Sequence, residues 1–329
     1  MIKNISFIVI AKDESFGIEK CLRSLADMDL NECEVICIDS GSTDDTVNVM
    51  KEYMGKMPNY RIIVCAGYCN SSMARNIGIA KSTMEMIFFV DGDVELSSSF
   101  AKEASSIIER NETDAVAGNV KDIVYSDNYE SIKIPVRYRQ YFQRAKDIFY
   151  CGGIFIASRK IVEKVGKWDE TMLRNQDIEY TLNLSRHGRL LGIPVDMCTH
   201  HTLAHQDRPA MFLKNRYPVF FGMLIRRNLD RPKAIWSLMI GNRGLTAGTL
   251  IYLAAALGLI TSFVLKISYL NILKILFILI LLDLAWCTIK KKRIPNILIL
   301  HYLYPPLVLI GIFKRKEHRS SESDIEIIQ

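Results

Sequence analysis

The chain has 329 residues, 49% of them apolar and 24% charged, with a formal net charge of +6 and a mean hydropathy of +0.11. That length allows two ordinary domains, or one large catalytic domain with a substantial appendage, and excludes a lone small module. The composition excludes intrinsic disorder and is more apolar than expected of a protein wholly in water, while the charge excess is too small for a dedicated nucleic-acid binder, so no nucleic-acid partner is expected.

Met1–Glu14 offers no small-residue cleavage site and reads as a strand, so the front of the protein is expected to stay in the cytosol. From Ile5 to Met197 short apolar runs alternate with polar segments of helical period. ISFIVIA (5–11), EVICID (34–39), RIIVC (61–65) and EMIFFVD (85–91) are continuous apolar stretches suited to strands buried on both faces. Ser15–Met28, Thr43–Lys56 and Ser71–Ala80 are long enough for crossover helices, with Ser42 or Thr43 as the N-cap of the second and Asp44 and Asp45 in its first turn. This order predicts an α/β fold, a mostly parallel, Rossmann-like sheet with helices on both faces.

Eight cysteines (Cys21, Cys33, Cys37, Cys65, Cys69, Cys151, Cys198 and Cys287) occur without a C-x-x-C pair. They are expected to be buried apolar fillers in a reducing compartment rather than zinc or thioredoxin ligands.

Ligands of such sheets bind at the carboxyl ends of the strands, here Lys12–Glu14, Asp39–Ser42 and Asp91–Asp93. Neither a dinucleotide fingerprint nor a P-loop stands at these places. Asp91-Gly92-Asp93 sends two carboxylates out of the sheet around a glycine, where they can face one hard cation, Mn²⁺ or Mg²⁺, bridging to a diphosphate. Asp-Gly is equally a turn dipeptide. Asp39 ends a strand at a glycine turn and can accept from a base N–H, or simply shape a capped turn. Arg75 falls on a short helix, able to face phosphate oxygens or solvent. His200, His201 and His205 cluster after the strand-like stretch 190–197, with His200 the first candidate to complete an oxygen-rich metal site and His201 the second.

The carboxyl-terminal part has a different character. Residues 208–243 mix basic and apolar side chains, interrupted near Pro218, and read as an interfacial connector for an anionic bilayer or as a helix covering the catalytic sheet. Gly244–Leu265 is uncharged and long enough to cross a roughly 30 Å hydrocarbon core. A second apolar stretch, 267–289, contains Lys274 and Asp283, and a third, 294–313, is broken by His301, Pro305 and Pro306. Basic residues before the first and after the second predict two crossings with a cytosolic front domain, the third being a re-entrant hairpin or a further span; a buried helical core is the alternative. Residues 314–329 read as a polar tail.

IVIAKDE, VICIDSGSTDDT, ARNIG and FFVDGD together resemble an inverting family 2 glycosyltransferase of the GT-A fold over residues 4–205. The resemblance assigns donor binding to Ile10, Ala11, Lys12, Glu14, Asp39, Arg75 and Asp91, and metal binding to Asp93, with His200 as further ligand. CGGIFIASRKIVEKVGKWDETM (151–172) and Asn175-Gln176-Asp177-Ile178-Glu179 extend it, implying Asp177 as catalytic base and Trp168, Asp169 and Gln176 on the acceptor side. Gln176 departs from the family's glutamate.

The expected organisation is a GT-A domain at 1–207, the connector at 208–243, the membrane region at 244–313 and the tail. The implied activity is metal-dependent, inverting transfer from a nucleotide sugar, by resemblance a UDP-sugar, to a lipid-linked or membrane-surface hydroxyl at the plasma membrane, in surface polysaccharide or glycolipid assembly. The absence of the Q-x-x-R-W pattern favours single-sugar transfer. The alternatives are a catalytically silent membrane scaffold and a sugar-phosphate nucleotidyltransferase, the latter disfavoured because no lysine-bearing phosphate loop is present.

Overall fold

A computed structural model describes residues 2–126, 129–204, 211, 213–265, 298–314 and 325–328, with isolated positions between 270 and 285. The chain divides into two compact units, Met1–Ala204 with Glu317–Gln329, and His205–Lys316.

The first unit opens with β1 (Lys3–Ala11), α1 (Ser15–Ala26), β2 (Glu32–Asp39), α2 (Thr46–Glu52), β3 (Tyr60–Cys65), α3 (Ser71–Lys81) and β4 (Met86–Asp91). The strands β3-β2-β1-β4 lie side by side and parallel. Alternate residues of β1 enter opposite core layers, Phe7 and Val9 one and Ile8 and Ile10 the other, which is why the run is apolar without interruption. The buried Glu34 stays ionised among its partners, accepting from Ser6 Oγ at 2.6 Å and the Thr83 N–H at 2.5 Å and pairing with Arg61.

Beyond β4 the sheet is mixed. The chain continues through β5 (Val94–Leu96), α4 (Ser98–Glu109), β6 (Ala115–Tyr125), β7 (Ile132–Gln140), β8 (Lys146–Asp147), β9 (Phe155–Ser158), α5 (Arg159–Val165), α6 (Gln176–His187) and β10 (Leu190–Leu203). Strand β9 pairs antiparallel with both β4 and β6, β6 runs parallel to β10, and β5, β7 and β8 join antiparallel. The expectation of a mostly parallel sheet therefore holds only for the first half. Nor is the tail wholly unstructured polar chain: β11 (Ile325–Ile328) pairs antiparallel with β3, Ile325 opposite Cys65, and so covers backbone groups of what would be the sheet's edge.

Helix α2 starts at Thr46 with Asp45 as N-cap, three residues later than predicted. The residues read as its cap are engaged across the sheet end instead. Ser42 Oγ accepts from the Asp13 N–H at 2.8 Å and Asp13 Oδ1 accepts from the Thr43 N–H at 2.7 Å. The loops after β1 and β2 are thus stitched together.

The second unit contains α7 (Tyr217–Arg227), α8 (Pro232–Gly241), α9 (Arg243–Leu265), a π-helical turn (Leu298–Leu303) and α10 (Tyr304–Phe313). The interruption read near Pro218 is present: residues 211 and 213–214 are helical, the chain turns at 215–216 with Arg216 in the left-handed region at φ 54°, and Pro218 then sits in the first turn of α7, where its missing N–H costs nothing. Phe221 and Leu224 of α7 are fully buried, and α7 meets α10 backbone to backbone: a Cβ on Gly222 would stand 2.0 Å from the Val308 carbonyl oxygen, and one on Gly311 2.0 Å from that of Val219. Part of the apolar set assigned to a lipid interface is therefore the interior of this unit.

Among the described residues no helix is long and apolar enough to cross a membrane. The expected crossing at 244–265 falls on α9, whose described side chains cover only part of its length, and most of 267–289 lies outside the described residues. Helix α10, with 10 residues, is about 15 Å long at 1.5 Å per residue, half of a hydrocarbon core. The transmembrane anchor read from the sequence is not supported.

Gly78 on α3 lets the helix seat on β1, since a Cβ there would lie 2.3 Å from Ile8 Cγ2. Gly78→Val is expected to destabilise the first unit by about 1–3 kcal/mol through overpacking, read as a lower urea midpoint with an unchanged slope.

Candidate active site

A cleft of about 550 Å³ opens at the carboxyl ends of β1 and β4. Ile10, Ala11, Lys12, Glu14, Arg75, Asp91, Asp93, Gln176 and Asp177 all line it, so most of the residues nominated from the sequence share one space although they span much of the first unit.

The hairpin Asp91-Gly92-Asp93 crosses its floor. The Gly92 N–H donates to the Ile10 carbonyl at 2.9 Å, and Gly17 of α1 lies so close that a Cβ would stand 2.7 Å from Asp93 Cα. Asp91 Oδ1 accepts from Arg75 Nη2 at 2.5 Å. Arg75 is 2% exposed, stacks 4.6 Å above the Trp168 ring and is hemmed in by Gly153, where a Cβ would stand 2.4 Å from Nη2. Asn76 anchors the same segment, exchanging hydrogen bonds with the Trp168 backbone at 2.8 and 3.0 Å and donating to Glu170 Oε1 at 2.8 Å.

Two histidines alternate across β10, which runs on to Leu203 rather than ending at Met197. His200 Nε2 is 2.8 Å from Asp93 Oδ2 and its Nδ1 is 3.1 Å from Asp122 Oδ1. His201 faces elsewhere, toward the Tyr125 hydroxyl at 2.9 Å and Glu95 at 3.4 Å. His205 lies outside the described residues. Burial works against a charge on His200, but its hydrogen bonds to Asp122 and Asp93 outweigh it and raise the group to about 9. Burial likewise opposes ionisation of Asp122, yet His200, Arg139 and Arg137 hold it down at about 2.

The cleft acids shift the other way. Burial, then the neighbouring Asp93 carboxylate, push Glu14 up to about 8. Asp91 is raised by burial against the pull of Arg75, and Asp177 is raised by burial despite the Ile178 N–H and Arg75. Asp177 stands in the first turn of α6, behind Asn175 in the left-handed region at φ 58°, and faces Gly152, whose added Cβ would sit 4.0 Å from Oδ2.

Asp93 Oδ1 is buried with no hydrogen-bond partner. Among the described residues no group of three or more His, Cys, Asp or Glu side chains forms a metal cage; Asp93 and His200 could hold a cation only with further oxygen ligands from outside the chain and with His200 Nε2 released from Asp93 Oδ2.

Three nominated residues sit differently from expectation. Asp39 is fully buried and does not line the cleft; Oδ2 accepts from the Gly41 and Ser42 N–H groups at 3.0 and 2.9 Å, and Ser42 Oγ donates to Oδ1. Ser40 faces the cleft in its place. Trp168 is 1% exposed and stacked on Tyr180 at 4.1 Å, a support for Arg75 rather than a surface for an acceptor. Asp169 holds a turn by accepting from the Thr171 N–H and hydroxyl at 2.9 and 2.6 Å. The sequence reading passed over Tyr68, Cys69, Asn70, Ser71 and Arg174, which line the cleft, and over Asp122, a mid-strand acid with no local motif to mark it.

Residues 6–166 match the family model Glycosyl transferase family 2. The first unit is therefore similar over most of its length to family 2 glycosyl transferases. Glycosyltransferase AglE of Haloferax volcanii is 24% identical over 236 residues, 69% of this chain and 75% of AglE. Poly(ribitol-phosphate) beta-N-acetylglucosaminyltransferase TarS of Staphylococcus aureus is 28% identical over 123 residues, 36% of this chain and 21% of TarS. The crystal structure of S. aureus TarS 1–349 in complex with UDP-GlcNAc superposes with a TM-score of 0.52 at 17% identity, covering 69% of this chain and 72% of that one, a likeness of mixed α/β, GT-A-like fold. The protein is a glycosyltransferase.

Replacing Gly153 tests the packing beneath the ion pair. Gly153→Ala is expected to displace the Arg75 guanidinium from Asp91 and lower donor turnover by about 10²-fold, with the far-ultraviolet circular dichroism unchanged.

Proposed function

We propose that the enzyme transfers one sugar from a nucleotide-diphosphate sugar, a UDP-sugar, to an acceptor hydroxyl with inversion at the anomeric carbon. The observation that carries this reading is the convergence of Asp91, Asp93 and Asp177 on one cleft at the sheet end. The TarS likeness, with its UDP-GlcNAc complex, supports the choice of donor.

In this reading Lys12, Ser40 and Tyr68 bound the donor's place, and Arg75 holds Asp91 at the donor's ribose or diphosphate. Asp93 and His200 would hold Mn²⁺ or Mg²⁺, which would supply positive charge to the leaving diphosphate. Asp122 orients His200 from behind, as acidic partners of metal-bound imidazoles do. Asp177 takes the proton of the acceptor hydroxyl as the acceptor oxygen bonds to the anomeric carbon. The bond from that carbon to the diphosphate oxygen breaks, and the nucleoside diphosphate departs with its electron pair. A carboxylate lifted above its ordinary pKa by burial is a better proton acceptor than an exposed one, so the shift on Asp177 suits a base.

The acceptor in this reading is lipid-linked or held at an anionic membrane surface, met from the cytosolic side. Large apolar side chains left in the open on the second unit, among them Trp236 at 65% and Phe313 at 80% exposure, support it, because such surfaces mark lipid or protein contacts.

Asp177→Asn is expected to cut transfer by about 10²–10⁴-fold while UDP affinity by calorimetry stays within a factor of a few, and Asp93→Ala to abolish the Mn²⁺ dependence of donor hydrolysis. Since the base works deprotonated, wild-type transfer should fall on acidification through a pKa above the usual carboxylate range. Unchanged transfer in Asp177→Asn would remove the proposed base.

The acceptor reading is checked separately. Wild-type protein is expected to float with anionic phospholipid vesicles and Trp236→Ser/Phe313→Ser to float markedly less; equal flotation counts against a lipid-facing surface at these residues.

A further inference from the structure

The cleft wall holds two thiols that the proposed chemistry does not use. Cys65 ends β3, and Cys69 immediately precedes Asn70, the N-cap of α3, whose side chain accepts from the Ser72 and Met73 N–H groups at 3.0 Å each. Cys65 Sγ donates to Cys69 Sγ across 3.0 Å. Cys65 is 2% and Cys69 4% exposed, but Cys69 borders the cleft and Cys65 does not. One sulfur can be reached from the cleft while the other stands behind it.

We propose that Cys65 and Cys69 are a redox-active dithiol in the cleft wall, a modification site that reacts with a low-molecular-weight disulfide and closes to an intramolecular Cys65–Cys69 bond.

A disulfide spans about 2.05 Å, so closure asks the sulfurs to approach by about 1 Å. Gly67, at which an added Cβ would meet nothing within 4 Å, lies in the segment between them, with room to adjust. The hydrogen bond donated by Cys65 draws Cys69 below the usual thiol pKa and pushes Cys65 up, which makes Cys69 the attacking group. Its thiolate displaces one thiolate from the incoming disulfide and is left in a mixed disulfide. Cys65 then gives up its proton and attacks Cys69 Sγ, expelling the second small thiol. In sum, the protein dithiol is oxidised and one small disulfide is reduced to two thiols. In a reducing cytosol such bonds are transient and sensing rather than structural.

Closure acts on the cleft through the residues it joins. Tyr68, 58% exposed and part of the cleft lining, lies inside the closed loop, and Asn70 at its end ties α3 to the Glu170 carbonyl at 2.8 Å. Drawing the sulfurs together shifts Tyr68 and strains the Asn70 cap, so the oxidised form binds nucleotide less well. This consequence rests on the donor reading above, whereas disulfide formation does not.

The test uses the full chain treated with oxidised glutathione, then alkylated and mapped by mass spectrometry, with UDP affinity measured by calorimetry on the same samples. Wild type is expected to lose two hydrogens at a Cys65–Cys69 bond, to recover them with dithiothreitol, and to bind UDP about ten- to a hundredfold more weakly while oxidised. Cys65→Ser, or Cys65→Ala if serine disturbs the strand, should stop at one glutathione on Cys69, and Cys69→Ser should take none at either position. Recovery of both cysteines as free thiols after oxidation overturns the proposal. A disulfide that leaves UDP affinity unchanged overturns its link to the cleft. Failure of the reduced wild type to bind UDP instead counts against the donor reading, and the mass measurement still decides the dithiol.

Discussion

The site depends on the ion pair between the buried Arg75 and Asp91, whose carboxylate faces the cleft. A guanidinium taken out of water is costly unless it is paired, and here the Asp91 carboxylate, the Ser71 carbonyl at 3.4 Å and the Trp168 face are its partners while Nε is buried without one. Each comes from a separate segment: the helix after β3, the end of β4, and the loop before α6. Holding one charge therefore ties its own helix to two other segments, and glycines at 153 and 17 are required because backbone must pass where a side chain would displace Arg75 or Asp93.

The first half of the domain was legible because a two-sided parallel sheet writes itself as apolar runs, and its loops carry short polar motifs at the strand ends. All four predicted strands are present within a few residues. After β4 the signal weakens. Strand β7 exposes Ile132, Val136 and Tyr138, so its apolar pattern marks no core, and Asp122 is buried among partners scattered over β7 and β10 that no spacing rule connects. Most of the cleft-lining residues were marked by motif, and their surroundings were not: nothing in the string Asp39-Ser40-Gly41-Ser42 says that the carboxylate turns back onto its own amides while Ser40 faces the cleft, or that Trp168 supports an arginine from within the core.

The helical unit shows how little hydropathy alone specifies about the carboxyl-terminal part. Apolar composition measures how much side chain avoids water, not what it meets instead. Gly222 and Gly311 let α7 and α10 touch along their backbones, and that contact uses apolar residues which a sliding window assigns to lipid. What composition reads correctly is the remainder, since Trp236, Leu257 and Phe313 stay uncovered in this unit. An apolar surface of that kind can engage an interface without any helix long enough to cross it.

Within the catalytic unit the charges separate into two groups with opposite behaviour. Glu14, Asp91 and Asp177 are all raised, first by burial and then by neighbouring carboxylates, and for Asp91 and Asp177 the pull of Arg75 does not offset it. Asp122, a few ångströms behind His200, is pulled down by two arginines and an imidazole. Asp93 and His200 stand at the boundary between these groups, where a carboxylate oxygen with no partner meets an imidazole fixed by a fully ionised acid. A crowded set of acids binds either protons or a multivalent cation, and each relieves the same repulsion. In the proposed reading, protonating them would silence the base as well, whereas a cation held at Asp93 would leave Asp177 free to accept a proton. On that reading the arrangement favours chemistry in which positive charge arrives with the substrate rather than from solvent.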